Sequence, residues 1–160
     1  MTTEISACDL LALHLGRLRA LCDSGFALAI HIRLTRPGLM YQTYDQAWSD
    51  HYSENGYMLS DPVVHFGLTQ TGMVRWDDLA DQDLVGVLRK AREFGLFNGW
   101  TYALGPANSR TIAGMTRSDR AHDAAEVAEI RAIVEDIHAL TEDLASGPAA
   151  ERDRARHLVP

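Results

Sequence analysis

Apolar residues recur at helical spacing in two long stretches, one near each end of the chain. Positions three and four residues apart share one face of an α-helix, so each stretch predicts an amphipathic helix. The first, within residues 3–23, has on its apolar face Ile5, Cys8, Leu11, Leu15, Leu18 and Cys22. The second, within residues 121–145, has on one stripe Val127, Ile130, Val134, Ile137, Thr141 and Leu144, with Ile133 and Leu140 beside it.

Two shorter segments are rich in strand-forming residues and are interrupted by turn residues. Residues 26–43 contain "FALAIHIRLT", a Pro37-Gly38 turn and "LMYQT", which together predict an antiparallel β-hairpin. Residues 99–116 contain "GWTYAL", the turn "GPANSR" and "TIAGMT", which predict a second hairpin. Because hairpins pair their strands in opposite directions, the pattern favours an antiparallel sheet.

Three further helical segments are predicted between the hairpins. Thr43 with Gln46 fits a capping box, which begins a helix near Tyr44. Proline is well tolerated in the first turn of a helix, so Asp61-Pro62 begins another. After a connection through "GMVRWDDL", the third helix covers residues 78–94 and turns inward Leu84, Val87, Leu88, Ala91 and Phe94.

The order of these elements predicts the fold class and the domain organisation. Helices before, between and after two hairpins can cover both faces of a sheet, which favours an α+β fold, a three-layer α-β-α sandwich with a central antiparallel sheet. A chain of 160 residues suits one domain. We assign residues 1–146 to that domain. Residues 147–160 are polar, begin with Gly147-Pro148 and are typical of a linker.

Charge and composition exclude several classes of protein. The formal net charge is -7 with a single lysine, Lys90, so the chain by itself is a poor binder of nucleic-acid backbones. No apolar run has the roughly 18 residues of a membrane span, and "MTTEISACDL" lacks the features of a signal peptide. We therefore expect a cytoplasmic protein with no membrane partner.

The sequence also lacks the common signatures of catalysis. It contains no nucleophile elbow, no phosphate-binding glycine loop and no pair of histidines or cysteines at metal-ligand spacing. Cys8 and Cys22 would lie about 21 Å apart along one helix, too far for a disulfide. We expect a protein that is not an enzyme and that holds no metal and no cofactor.

One helical face carries the candidate chemistry. Tyr44, Trp48 and Tyr52 recur every fourth residue, so they line one side of a helix, and Asp61 follows at the next helix start. Tyr and Trp supply O–H and N–H donors beside large apolar surfaces, and an ionised carboxylate supplies acceptors. Around a cavity, this set suits an apolar ligand with carbonyl groups and an N–H. A plainer interpretation stays open, with Asp61 as a helix N-cap and the aromatics as core residues.

The spacing of these residues resembles the autoinducer-binding domain of LuxR-type quorum-sensing regulators. The resemblance covers nearly the whole chain, and "AREFGLFNG" fits the same family through Ala91, Gly95, Leu96 and Gly99. The motif that carries it is Tyr44-x3-Trp48-x3-Tyr52-x4-Tyr57-x3-Asp61-Pro62-Val63, followed by Trp76. The resemblance implies an α-β-α sandwich that encloses an N-acyl-homoserine lactone between sheet and helices.

The resemblance also implies a role for each matched residue. Trp48 would donate its indole N–H to the lactone carbonyl, Asp61 would accept the amide N–H, and Tyr44 would donate to the acyl carbonyl. The apolar walls would be formed by Tyr52, Val63, Trp76 and Val87 or Leu88. The family often has a serine or threonine in the last strand, and here the alignment falls near Met115, with Thr111 and Thr116 beside it.

Members of the family usually continue into a helix-turn-helix domain that binds DNA. We expect residues 147–160 to lead to such a domain, absent from this sequence, and DNA contacts to be made only through it. A homodimer is also expected. Two alternatives stay open: a relative without DNA-binding domain that inhibits a full-length regulator by dimerisation, and an enzyme that uses Asp61 and Tyr44 as base and acid.

Overall fold

A five-stranded antiparallel sheet forms the middle layer of the protein, in the order β2-β1-β5-β4-β3. The computed structural model describes residues 4–160. The strands are β1 (Phe26–Ile32), β2 (Leu39–Gln42), β3 (Gly72–Arg75), β4 (Trp100–Leu104) and β5 (Arg110–Met115). Both predicted hairpins are present, and β1 pairs with β5 to join them. The predicted antiparallel sheet is therefore confirmed.

The first helical layer consists of α1 (Ala7–Leu21), α5 (Ala124–Ala145) and α6 (Ala149–Arg156). The apolar stripes of α1 and α5 pack together and against β1, so both predicted amphipathic helices are confirmed. The predicted helix start at residue 3 lies outside the described residues, and Ser6 caps α1. Ile5, placed on the apolar face by its spacing, is instead 59% exposed. Most of the stripe of α5 is buried in this layer.

The second helical layer covers the other face of the sheet. It comprises α2 (Gln46–Glu54), α3 (Pro62–Thr69), α4 (Val87–Glu93) and two 3-10 helices, Tyr57–Leu59 and Trp76–Gln82. Contacts of α3 with β4 and β5 hold this layer on the sheet. The molecule is therefore the predicted three-layer α-β-α sandwich.

Two details of the predicted second layer are wrong. Asp45, rather than Thr43, caps α2, because the hydroxyl of Thr43 accepts the backbone N–H of Phe26 in the sheet (3.0 Å). The single helix predicted over 78–94 is interrupted, since the Asp83 carboxylate accepts the backbone N–H groups that begin α4. Leu84, predicted to face inward, lies in this interruption and is 92% exposed.

Strand β3 was not predicted. Its four residues occupy an edge of the sheet and pair with β4. Their sequence, "GMVR", is too short to show an alternating pattern, and the prediction treated it as a connection.

The segment predicted to be a linker contains the packed helix α6. The hydroxyl of Tyr41 donates to the carbonyl of Ala155 (2.6 Å), and the thiol of Cys8 donates to the carbonyl of Glu151 (3.1 Å). An ion pair joins Arg154 of α6 to Asp9 of α1. Residues 149–156 are thus a helix packed on the first layer, which their linker-like composition did not predict. That the segment leads to a further domain stays a prediction.

Within the described part of the chain, no helix combines the length and the apolar character needed to cross a membrane.

Candidate ligand-binding cavity

A cavity of about 330 Å³ lies between the sheet and the second helical layer. Small residues of the sheet, Ala27, Ala29 and Gly114, leave space above the strands, and α2, α3 and α4 form the opposite wall. Eight of the predicted site residues line it: Tyr44, Trp48, Tyr52, Asp61, Val63, Trp76, Val87 and Leu88. Their convergence follows from the fold, whereas a role in binding a ligand stays a prediction.

Asp61 is both the N-cap of α3 and a wall of the cavity. Its Oδ1 accepts the backbone N–H of Val63 (2.8 Å), and its Oδ2 accepts the hydroxyl of Tyr52 (2.8 Å). The interpretation as a helix N-cap is therefore correct. A carboxylate has about four acceptor positions, and these two bonds with a further one from the backbone N–H of Val64 leave one free. The side chain is buried, with 9% of the residue exposed. Burial raises the pKa of Asp61, partly offset by these hydrogen bonds.

Trp48 is the centre of an aromatic cluster on α2. Its ring centroid lies 5.4 Å from that of Phe94, 5.7 Å from Tyr52 and 6.1 Å from Tyr57. The residue is 5% exposed, so the cluster shields it from bulk water. Among residues 4–160 no group accepts its indole N–H, and the indole nitrogen is not completely enclosed by protein atoms. Because Trp48 also lines the cavity, we expect this donor to be free for a ligand.

Tyr44 reaches the cavity from the residue before the N-cap of α2 and not from the helix itself. Its ring packs against Gly25, where a Cβ would lie 2.6 Å from Cδ1 of Tyr44, and Gly25 also has a φ of +114°. Only glycine suits both conditions. The Tyr44 hydroxyl is 3.4 Å from the carbonyl of Gly114, a long hydrogen bond. Burial raises the pKa of Tyr44, which keeps the hydroxyl a donor at neutral pH.

Trp76 closes one side of the cavity as an apolar wall. Its indole N–H donates to the hydroxyl of Thr101 (2.9 Å), and its ring packs directly on the backbone of Gly99. Because its donor is satisfied by the sheet, Trp76 offers a ligand only its ring face. This matches both the wall role that the resemblance implies and the plainer interpretation as a core residue.

The placement of Met115 in the cavity is wrong. Alternate residues of β5 face opposite layers, and Met115 is fully buried with Ala113 in the core beside α1 and α5. Ile112 and Gly114 face the cavity instead. Gly114 is the residue that sequence reasoning missed: a Cβ there would lie 3.3 Å from the Tyr44 hydroxyl.

The two threonines beside Met115 are also engaged elsewhere. Thr111 contacts Nδ1 of His138 on α5 (2.6 Å), and Thr116 donates to the carbonyl of Gly25 (2.7 Å). Within β5, then, glycine occupies the cavity-facing position closest to Tyr44, and a ligand meets no hydroxyl from that strand.

A second set of cavity residues comes from segments that sequence reasoning did not connect with the site. They belong to the β1–β2 hairpin, to α2 and to the turn after it: Ile32, Thr35, Pro37, Met40, Gln42, Ser49, Ser53 and Met58. Most are exposed, although they line the cavity. Alternate residues of a strand share one face, so Met40 and Gln42 of β2 lie on the same side of the sheet. This alternation is the sequence feature that could have placed them in the cavity.

Comparison with known proteins now identifies the family. The family described as "Autoinducer binding domain" matches residues 8–142, most of the chain. This chain belongs to the autoinducer-binding domains of LuxR-type regulators. The match includes the whole sheet and the second helical layer, so it covers every element that lines the cavity. The family resemblance found in the sequence is confirmed.

Relatives of this autoinducer-binding domain are transcriptional regulators. The HTH-type quorum-sensing regulator RhlR of Pseudomonas aeruginosa is 33% identical over 103 residues, which cover 62% of this chain and 42% of RhlR. The transcriptional activator SolR of Ralstonia nicotianae is 26% identical over 72 residues, which cover 44% of this chain and 30% of SolR. The chain thus spans less than half the length of these relatives.

Solved structures share the fold of this autoinducer-binding domain. SdiA in complex with octanoyl-rac-glycerol has a TM-score of 0.67 at 21% identity, covering 89% of this chain and 62% of that chain. CepR2 of Burkholderia cenocepacia, described as an N-acylhomoserine lactone dependent LuxR family transcription factor, has a TM-score of 0.63 at 18% identity. That match covers 86% of this chain and 83% of CepR2.

Proposed function

We propose that this autoinducer-binding domain senses an N-acyl-homoserine lactone held in the cavity. The observation that carries the proposal is the convergence of Asp61 and Trp48 on one buried chamber, where each has hydrogen-bonding capacity to spare. An acceptor and a donor at this place suit a head group with an amide N–H and a lactone carbonyl.

The remaining polar group fits the acyl carbonyl. The bond from the Tyr44 hydroxyl to Gly114 is long at 3.4 Å, so little is lost when the hydroxyl turns to a ligand. Val63, Val87 and Leu88 with the alanines of β1 form an apolar part of the walls, and the polar side chains of Thr35, Gln42, Ser49 and Ser53 lie elsewhere in the lining. A few polar groups in an apolar pocket fix the orientation of a ligand, while the apolar surface supplies most of the affinity.

Asp61 gives the site discrimination. A buried carboxylate is costly unless it is hydrogen-bonded, and Tyr52 and the backbone of Val63 satisfy only part of it. A ligand with an N–H at this point supplies the hydrogen bond that the carboxylate still lacks. A ligand without that group leaves an acceptor unpaired, at a cost of about 1–3 kcal/mol.

The wider role follows from the relatives. RhlR is named an HTH-type quorum-sensing regulator, and SolR a transcriptional activator. We infer that this domain acts in the cytoplasm as the sensing part of such a regulator, forms a homodimer, and reaches DNA only through a separate domain.

A thermal-unfolding panel tests the proposal. Butanoyl to tetradecanoyl homoserine lactones are added to the purified chain, together with octanoylglycerol, because an SdiA structure contains octanoyl-rac-glycerol. A ligand that binds only the folded state at a hundredfold excess over Kd adds about 2.7 kcal/mol to the free energy of unfolding. We expect at least one lactone to raise the melting temperature.

Two results would contradict it. If no lactone shifts the transition, the chain does not sense this class of molecule. If octanoylglycerol shifts it and every lactone fails, the cavity binds an acylated ligand with a different head group.

A further inference from the structure

The cavity has a long axis that the strand register defines. Gly114 pairs with Ala27, and Ala27 with Gln42, so these three form a first row across the sheet. A second row, two residues along each strand and about 7 Å away, consists of Ile112, Ala29 and Met40. All six residues line the cavity.

The hairpin end of the sheet forms a third row. After a bulge at His31, Ile32 pairs with Arg110 and again faces the cavity. Thr35 and Pro37 of the hairpin line the same end. The cavity therefore extends over at least two row spacings, from Gly114 towards the hairpin.

The polar groups lie at the first-row end of this axis. The Tyr44 hydroxyl contacts Gly114, in the first row. Helix α3 packs on β5, where Gly67 contacts Ile112 of the second row and Arg110 of the third row donates to the carbonyls of Gly67 (3.0 Å) and Gln70 (2.8 Å). The C-terminal end of α3 thus lies beside the third row, and we infer that its first residues, capped by Asp61, lie towards the first row.

The hairpin end is exposed. Asp61 is 9% exposed and Trp48 5%, whereas Met40 is 50% exposed although it lines the cavity. Thr35 and Pro37 are exposed as well. Met58, in the 3-10 helix before Asp61, also lines the cavity and is 44% exposed. The chamber is therefore closed around Asp61 and Trp48 and open along the β2 edge and the hairpin, where Gln42, Met40 and Pro37 are exposed.

We propose, on the basis of the function proposed above, that the ligand carries a long acyl tail whose end leaves the cavity beside Met40 and Pro37. The domain then sets a minimum tail length but no maximum. Tail carbons beyond the second row reach the hairpin opening, where they cover the exposed side chain of Met40 instead of meeting a wall. The ligand class is thus a long-chain acyl amphiphile, selected by its head group.

A chain-length series tests this. Dissociation constants of butanoyl to tetradecanoyl homoserine lactones are measured for the unmodified chain. While each added methylene is buried, Kd should fall by about fourfold per methylene. Once the tail reaches the opening, Kd should level off and stay level up to tetradecanoyl.

A pair of neighbouring substitutions sharpens the test. Thr35→Trp places a large ring at the open end, whereas Leu34→Trp adds the same ring at a position that is 92% exposed and does not line the cavity. Thr35→Trp should weaken the longest lactones by roughly tenfold and leave butanoyl and hexanoyl lactones unchanged. Leu34→Trp should change neither.

The outcomes separate this inference from the function on which it rests. An affinity optimum in the unmodified chain, with a roughly tenfold loss for longer tails, would mean a walled end and would overturn the open-ended cavity while the sensing function stands. Equal weakening of all lengths by Thr35→Trp would also count against it. Binding of no lactone at all would remove both proposals.

Discussion

At the scale of single residues, Asp61 and Met115 mark what a sequence can and cannot tell. Asp61 before Pro62 is readable as a helix start, and the aromatic spacing placed Trp48 and Tyr52 correctly near it. Met115 was misplaced because strand residues alternate between faces, so an alignment shift of one residue moves a side chain across the sheet. Gly114, which faces the cavity, has no side chain, so it does not contribute to a pattern of apolar and polar residues.

The pH dependence of binding belongs to this scale. Burial raises the pKa of Asp61, so lowering the pH through that pKa protonates the carboxyl and removes an acceptor for the ligand amide. Lactone affinity should therefore fall as the pH is lowered through that pKa, measured by titration calorimetry. In Asp61→Asn the residual affinity should lose this dependence, and an unchanged pH profile would show that Asp61 does not face the ligand.

The raised pKa of Asp61 affects the stability of the ligand-free protein in the opposite direction, because stability falls as the pH rises. A carboxyl whose folded pKa is raised binds more protons folded than unfolded, so its unfavourable contribution is absent below the unfolded pKa and grows as the pH rises through the raised value. The free energy of unfolding of Asp61→Asn, taken relative to that of the parent chain, should therefore be higher at neutral pH than at acid pH.

At the scale of elements, long periodic segments were predictable and short ones were not. The apolar stripes of α1 and α5 follow from periodicity, and both hairpins follow from strand-forming residues interrupted by turn residues. The four residues of β3 and the break before α4 do not, because they depend on partners distant in sequence or on one capping side chain. Helix α6 was missed because its polar sequence packs through few residues, such as Ala155.

Asp83 provides a test at this scale. Its carboxylate accepts the backbone N–H groups of Val87 (2.7 Å), Leu88 (3.0 Å) and Arg89 (3.3 Å). Asp83→Ala should lower the free energy of unfolding by about 1–2 kcal/mol, measured by denaturant titration, and should weaken ligand binding because α4 carries one cavity wall. Exposed Asp81 is the control, and equal effects of Asp81→Ala would refute a specific role for the cap.

At the scale of the whole molecule, the sandwich separates stability from sensing. The largest apolar cluster lies between the sheet and the first helical layer, whereas the second layer rests on smaller clusters and leaves the cavity. Small residues on one face of the central strands create that space, as at Ala27 and Ala29. A ligand that fills it would supply packing that the second layer lacks, which couples occupancy to stability.

The central claim is that Asp61 accepts a hydrogen bond from the ligand in addition to capping α3. Asparagine caps helices about as well as aspartate, so Asp61→Asn should retain the fold. Asp45→Asn is the matched control, because Asp45 caps α2 with an exposed side chain that does not line the cavity.

The decisive measurement is the lactone dissociation constant of these two variants beside the parent chain. The account predicts at least a tenfold loss of affinity, about 1.4 kcal/mol, for Asp61→Asn and no change for Asp45→Asn. Equal affinities in all three proteins, with the fold intact, would contradict it.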